Sequence, residues 1–184
     1  MKKQALAAIF IVSFGFLSAQ YKVEAPPGYT PKIGDMVYML EDLKVRITDM
    51  VKDLNNQQTD YLIDEEANSI GALILHLAST EAYYQIETLE NRTFTQEEEE
   101  QWMLGAGLGI ESREKIKGKP IGHYLSIWDD VRKKSLEGLK KRDDVWFAAL
   151  IDDEISNHWV WYHVMEHQAA HMGQISHVLQ RIPK

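Results

Sequence analysis

His167 and His171 stand four residues apart in the run Trp161-Tyr162-His163-Val164-Met165-Glu166-His167-Gln168-Ala169-Ala170-His171-Met172-Gly173-Gln174-Ile175. Residues at i and i+4 share a helix face, so both imidazoles can reach one ion. A third histidine, His76, interrupts an earlier apolar helical pattern. Three such ligands from two helices suggest an open tetrahedral site, with the fourth position left for water or substrate. A divalent ion held by neutral imidazoles lowers the pKa of a bound water or thiol towards neutrality, which is the chemistry of a hydrolase or transferase. Zinc is the expected ion, with nickel, iron and manganese as alternatives.

The spacing alone leaves the pair open. His163, His167 and His171 advance by four each time, so the row drifts about 40° per step and one ion cannot bind all three. Both 163/167 and 167/171 satisfy the rule. A lone histidine on an apolar face, as His76 is when taken by itself, is more often a hydrogen-bonded core residue than a ligand. Burying two neighbouring imidazoles costs desolvation that a shared cation offsets. His123, His158 and His177 have no partner in the pattern, and packing or surface roles are expected for them. Two better-known metal motifs are excluded. Gln168 fills the slot of the carboxylate base in H-E-x-x-H proteases, and a neutral amide cannot be that base. No glutamate lies three residues before any histidine, as a di-iron bundle requires. The competing reading is a non-catalytic metal- or ligand-binding module, with His163, Glu166 or a loop tyrosine closing the site.

Four helical patterns must position these residues. The first runs from about Asp35 to Leu54, with Met36, Leu40, Leu43, Ile47 and Leu54 on one stripe, after an extended lead-in over 20–34 punctuated by Pro26-Pro27-Gly28 and Pro31. The second begins at Asn68 or Ser69 as N-cap and runs to about Glu90, its stripe formed by Ile70, Leu73, Ile74, Leu77 and Tyr84. Residues 91–119 read as a long glycine-dotted loop, with a short helix from about Glu97 to Leu104; such a loop often covers a site. The third helix starts at Pro120 and continues to about Lys141. Residues 143–155 are ambiguous. The last helix is capped by Ser156 or Asn157 and ends near Arg181. The expected fold is therefore all-α, a four-helix bundle with a long loop or short helix between helices two and three.

The chain of 184 residues opens with Met1-Lys2-Lys3, an apolar stretch from Ala5 to Leu17, and Ser18-Ala19-Gln20. This reads as a signal peptide over 1–19, cleaved after Ala19, leaving an exported protein, periplasmic or secreted, with no membrane attachment and a bundle domain over 35–184. Cysteine is absent, so neither disulfides nor a protein thiol take part. A net charge of −8 repels phosphate backbones and argues against nucleic acid as a partner. Five Trp and eight Tyr suggest an aromatic core or cleft. The remaining expected partner is a small-molecule substrate of unknown identity. A homodimer through exposed helix faces is compatible with the pattern.

These features together resemble the DinB-like superfamily. The matching residues are Ser69-Ile70-Gly71 opening helix two, His76 with Glu81 five residues on, and His167-x-x-x-His171 followed by Gly173-Gln174-Ile175. The resemblance covers about Asp35 to Leu179. It implies a helical bundle holding a divalent metal through His76, His167 and His171, and leaves His163 outside the ligand set. Relatives of this kind include S-transferases and isomerases that use small cytosolic thiols, to which an exported chain has no easy access. Family members often carry His-His-Arg-Gly-Gln where this chain has Ala170-His171-Met172-Gly173-Gln174, a departure that bears on substrate rather than on metal. Glu81 matches a recurrent family glutamate. It lies about 140° around the helix from His76, which favours a structural role over one at the metal.

Overall fold

The computed structural model describes residues 22–183, so the signal segment read over 1–19 lies outside the described residues. Eight α-helices and no strand are present among them: α1 (Pro31–Val51), α2 (Asn56–Thr59), α3 (Ile70–Gln85), α4 (Gln96–Ala106), α5 (Ile110–Lys115), α6 (Ile121–Leu139), α7 (Asp144–Ala148) and α8 (Asn157–Leu179). The long helices α1, α3, α6 and α8 form an all-α bundle of the DinB-like kind. No described helix is long and apolar enough to cross a membrane.

Local chemistry sets the boundaries. The Ser69 side chain accepts from Ala72 N and starts α3, a cap whose loss costs about 1 kcal/mol. Residues Ile86–Glu90 continue α3 as a π-helical turn, and Asn91, at φ 52°, stops it in the left-handed region that asparagine tolerates. Pro120 is the cap just before α6, with no backbone N–H to leave unpaired. Ser156 caps α8 by accepting from Trp159 N.

Three segments differ from the sequence reading. Helix α1 begins at Pro31, four residues before Asp35, because a proline in the first turn has its φ preset and no orphaned N–H; the extended lead-in therefore ends at Thr30. The short helix expected from about Glu97 to Leu104 is present as α4, and the rest of the expected loop contains a further helix, α5. Thr95 and Glu98 form a capping box that starts α4, Arg92 bridges to Glu98, and Gly107 and Gly109 separate α4 from α5. The ambiguous connector contains α7, capped by Asp143 accepting from Trp146 N.

Helix α3 sits in the middle, packed by α6, α4 and α8, which explains why Ile70, Leu73, Ile74, Leu77, Ala78 and Ala82 bury several of its faces at once. One apolar cluster joins α3 and α6 to the C-terminal parts of α1 and α8 around Trp128; a second joins the N-terminal halves of α1 and α8 to α7 around Trp161 and Phe147. Burial of each of these aromatic side chains contributes about 1.5–3 kcal/mol or more. Packed from both sides, α3 and α8 hold a fixed separation where the histidines face one another.

Candidate metal centre

His76 projects from α3, and His167 and His171 project from adjacent turns of α8. The two helices run antiparallel: Leu73 and Val178 line the same cavity at one end, while Tyr84 meets His163 edge-on at the other. The structure brings the three imidazoles of His76, His167 and His171 together. His167 Nε2 lies 3.0 Å from both His76 Nε2 and His171 Nε2. Tetrahedral coordination at ordinary zinc–nitrogen lengths separates ligand nitrogens by about 3.3 Å, so the cluster needs only a slight expansion around an ion.

Hydrogen bonding at the far side of each ring fixes which nitrogen is free. His76 Nδ1 lies 3.1 Å from Gly105 O in the last turn of α4. A carbonyl only accepts, so Nδ1 carries the proton and Nε2 presents a lone pair. His171 Nδ1 donates to Gln174 Oε1 at 2.9 Å, which leaves His171 Nε2 in the same state. Two lone pairs thus point at His167 Nε2, which holds at most one proton when neutral. A cation at their meeting point satisfies all three, and the outer hydrogen bonds to Gly105 and Gln174 are the kind that orient metal-bound histidines.

Protonation is suppressed at all three. Burial holds the pKa of His167 down to about 3, assisted by the neighbouring His171, His76 and His163. Burial likewise lowers His76, against the opposing hydrogen bond to Gly105. His171 is lowered by burial and by His76. Near neutral pH all three are unprotonated, the state that ligates metal.

Of the remaining histidines, His163 borders His167 with ring centroids 5.8 Å apart, but its ring is engaged outside the cluster. His163 pairs with Glu166 through Nδ1 at 2.8 Å and stacks on Trp159 with ring planes 9° apart. His158 stacks on Phe147, His123 packs against Tyr124, and His177 faces Arg181.

Beneath the cluster lies a buried polar network that holds the same two helices together. Glu81 on α3 is fully buried and accepts from Arg132 Nε at 2.7 Å, Arg132 Nη2 at 2.9 Å, Ser135 Oγ at 2.7 Å and Trp128 Nε1 at 3.0 Å. Gln168, next to His167, donates to Glu81 Oε2 at 3.1 Å and accepts from Arg132. Arg132 also donates to Leu40 O and Glu41 on α1. Burial alone raises a carboxyl pKa, but the Arg132 charge and its hydrogen bonds win, and Glu81 is held below its usual range. Glu81 therefore stands on the core side of α3, away from the imidazoles. Neither Arg132 nor Gly105 carried a sequence signal for its role. Gln174 was visible only as part of a matching motif.

Beside the cluster opens a cavity of about 480 Å³, lined by Asn68 and Leu73 on one side and by Ala170, Gln174, His177 and Val178 on the other. Leu73 is one turn before His76, and Ala170 and Gln174 flank His171, so the cavity borders the candidate site. Its volume suits a small molecule.

A family model described as mycothiol-S-transferase matches residues 35–182. No curated protein matches the chain significantly. With that span covering the whole bundle, and with three convergent imidazoles able to hold a metal ion, the chain belongs to the mycothiol S-transferase family, within the DinB-like proteins that its motifs resemble.

Proposed function

We propose that this protein is an exported metal-dependent S-transferase, with His76, His167 and His171 holding a divalent ion, zinc in the first instance. The observation that carries the reading is the convergence of three Nε2 atoms, two of them on rings whose opposite nitrogens are already committed to Gly105 and Gln174. When bound, the ion supplies Lewis acidity that brings a thiol or a water to its anionic form near neutral pH. The protein's own contribution is positional. Three neutral ligands leave a coordination place for substrate, the Glu81–Arg132–Gln168 network holds α3 against α8, and the adjacent cavity receives the rest of the small molecule. Export rests on the Met1–Lys3 charge and the apolar Ala5–Leu17 run. That same leader favours a second reading, hydrolysis, since small thiols are cytosolic reagents and water is available everywhere.

Elemental analysis and two assays test this. Protein purified without chelator should carry about one equivalent of divalent metal; His171→Ala should carry less than a tenth, and His163→Ala should match wild type. Equal loss in both variants removes the ligand assignment. Consumption of N-acetylcysteine against a chromogenic electrophile supports transfer. Metal-dependent release of p-nitrophenol from p-nitrophenyl acetate without thiol supports hydrolysis. Silence in both with metal bound leaves a binding module and overturns the enzyme reading.

A further inference from the structure

On α3 and α8 the spacing that brings the imidazoles together continues past them as a run of aromatic rings. Tyr83 is seven residues after His76 and Trp159 eight before His167, so in these antiparallel helices both lie about 10–12 Å from the imidazoles in the same direction. Between them Tyr84 and His163 meet edge-on, with ring centroids 5.6 Å apart. Tyr83 stands edge-on to Tyr84 at 5.2 Å and is backed by Phe94 at 5.5 Å; Trp159 stacks on His163 at 5.2 Å. His163 is itself 5.8 Å from His167, so the run starts at a candidate metal ligand. The inner rings Tyr84 and His163 are half-buried, whereas Tyr83 is 40 % and Trp159 47 % exposed. With His163 against one face of the indole, that exposure belongs to the opposite face and the edge. At the far end stands Glu87, one turn past Tyr83. Burial, and then the Glu87 charge, raise the pKa values of Tyr83 and Tyr84, which puts this carboxylate beside both phenols. Burial and the charge of Asp152 hold Glu87 itself above the usual carboxylate range. Neither Glu87 nor Asp152 forms an ion pair with Lys or Arg among the described residues.

We propose that this aromatic run is the seat of a small molecule with a flat ring, held on the open face of Trp159 and beside Tyr83, and with a cationic group directed towards Glu87 and Asp152. The assignment deepens the transferase reading and rests on it only for the identification of this molecule as the electrophilic co-substrate. Ring contacts contribute beyond the area they bury, and a cation is attracted to the faces of the same rings. An aliphatic body gains area there but no stacking. An anionic ring meets two carboxylates that no neighbouring cation offsets, and is repelled. The seat lies on the opposite side of the imidazoles from the cavity at Leu73 and Gln174, so two molecules can approach one ion from two directions.

The experiment is a nuclear magnetic resonance titration of the full protein, before and after treatment with EDTA, with benzyltrimethylammonium, tetramethylammonium and benzenesulfonate in turn. The quaternary ammonium probes have no lone pair for a metal, so their binding reports on the rings. Benzyltrimethylammonium should shift the indole N–H signal of Trp159, which is assigned by its disappearance in Trp159→Leu. Tetramethylammonium, which lacks the ring, and benzenesulfonate, which reverses the charge, should each bind about fivefold more weakly. Trp159→Leu should keep its metal and bind benzyltrimethylammonium about fivefold more weakly, while Trp159→Phe, which restores an aromatic face, should recover most of the affinity. Glu87→Gln should weaken the same probe about threefold. Unchanged affinity in Trp159→Leu or in Glu87→Gln, shifts confined to another surface, or equal or tighter binding of either comparison probe overturns the proposal. The two readings fail separately. Trp159-dependent binding in a protein that never carries metal sinks the metal-dependent activity alone, whereas retained metal with an unmoved Trp159 signal sinks the aromatic seat alone.

Discussion

Replacing Arg132 by methionine separates the support of the site from the site itself. The guanidinium is 3 % exposed and reaches Glu81 twice, at 2.7 and 2.9 Å, as well as Leu40 O, Glu41 and Gln168. Arg132→Met leaves Glu81 with Ser135, Trp128 and Gln168 as donors but with no compensating charge. Breaking one side of a buried pair costs about 3–5 kcal/mol, a large part of the roughly 5–15 kcal/mol that keeps a domain folded. At about 2–4 °C per kcal/mol for a chain of this size, the melting temperature should fall by about 6–20 °C. Gln168 loses the Arg132 donor to its Oε1 and keeps only its bond to Glu81, so His167 should be held less firmly and metal affinity fall about tenfold. Adding Glu81→Leu removes the stranded carboxylate and should recover most of the stability, because an apolar replacement of a whole pair is often neutral. Metal affinity should stay low in the double variant, since Gln168 then lacks both Arg132 and Glu81 as partners. Urea denaturation and competition with a chromogenic chelator read the two quantities independently. A loss below about 1 kcal/mol in the single variant, or a double variant as unstable as the single, would refute the assignment of the network as the brace between α3 and α8.

Two further outcomes are expected from the geometry. In Gly105→Ala the new Cβ would collide with Ser79 Oγ and stand 2.9 Å from Leu75 Cγ; the resulting shift of α4 should cost about 1–3 kcal/mol and lower metal affinity by displacing the carbonyl from His76, with full retention of metal counting against that grip. Acidification of the metal-free protein should destabilise it progressively as pH falls from 6.5 towards about 3, because His167 takes up its proton in the unfolded chain before the folded one does. Above 6.5 this contribution is complete and flat. Melting temperatures between about pH 4 and 8 check the sign, and a His167→Leu control should show a shallower acid limb; identical limbs would disprove the contribution.

Much of the fold was legible because its signals are local. Ser69 and Ser156 are caps that satisfy a backbone N–H within their own turn, and the stripe through Leu40, Leu43 and Ile47 repeats at helical spacing, so the starts of α3 and α8 and the buried face of α1 can be read from the letters. Pro31 misled because a proline ends one helix and begins another with equal ease, and the residues after it decide between the two. The short helix read from Glu97 to Leu104 is α4, which the Thr95–Glu98 box starts, whereas the glycines after it suggested loop where α5 forms. At the histidines, spacing allowed two pairs, and the choice required the position of α3, a tertiary fact. The roles of Arg132 and Gly105 were invisible for the same reason: Arg132 draws its meaning from Glu81, 51 residues away in sequence, and Gly105 contributes a main-chain oxygen that any residue type possesses.

That oxygen has a consequence for how the protein can vary. Because α4 holds His76 through its peptide backbone, substitution of most side chains along the connector leaves the hold intact, provided position 105 stays small enough to approach Ser79 and Leu75. The exposed positions Gln96, Glu97, Glu99, Glu100, Gln101 and Met103 can thus diversify without disturbing the three imidazoles, whereas Glu98, which starts the helix, and the buried Trp102 are held in place by the same fold.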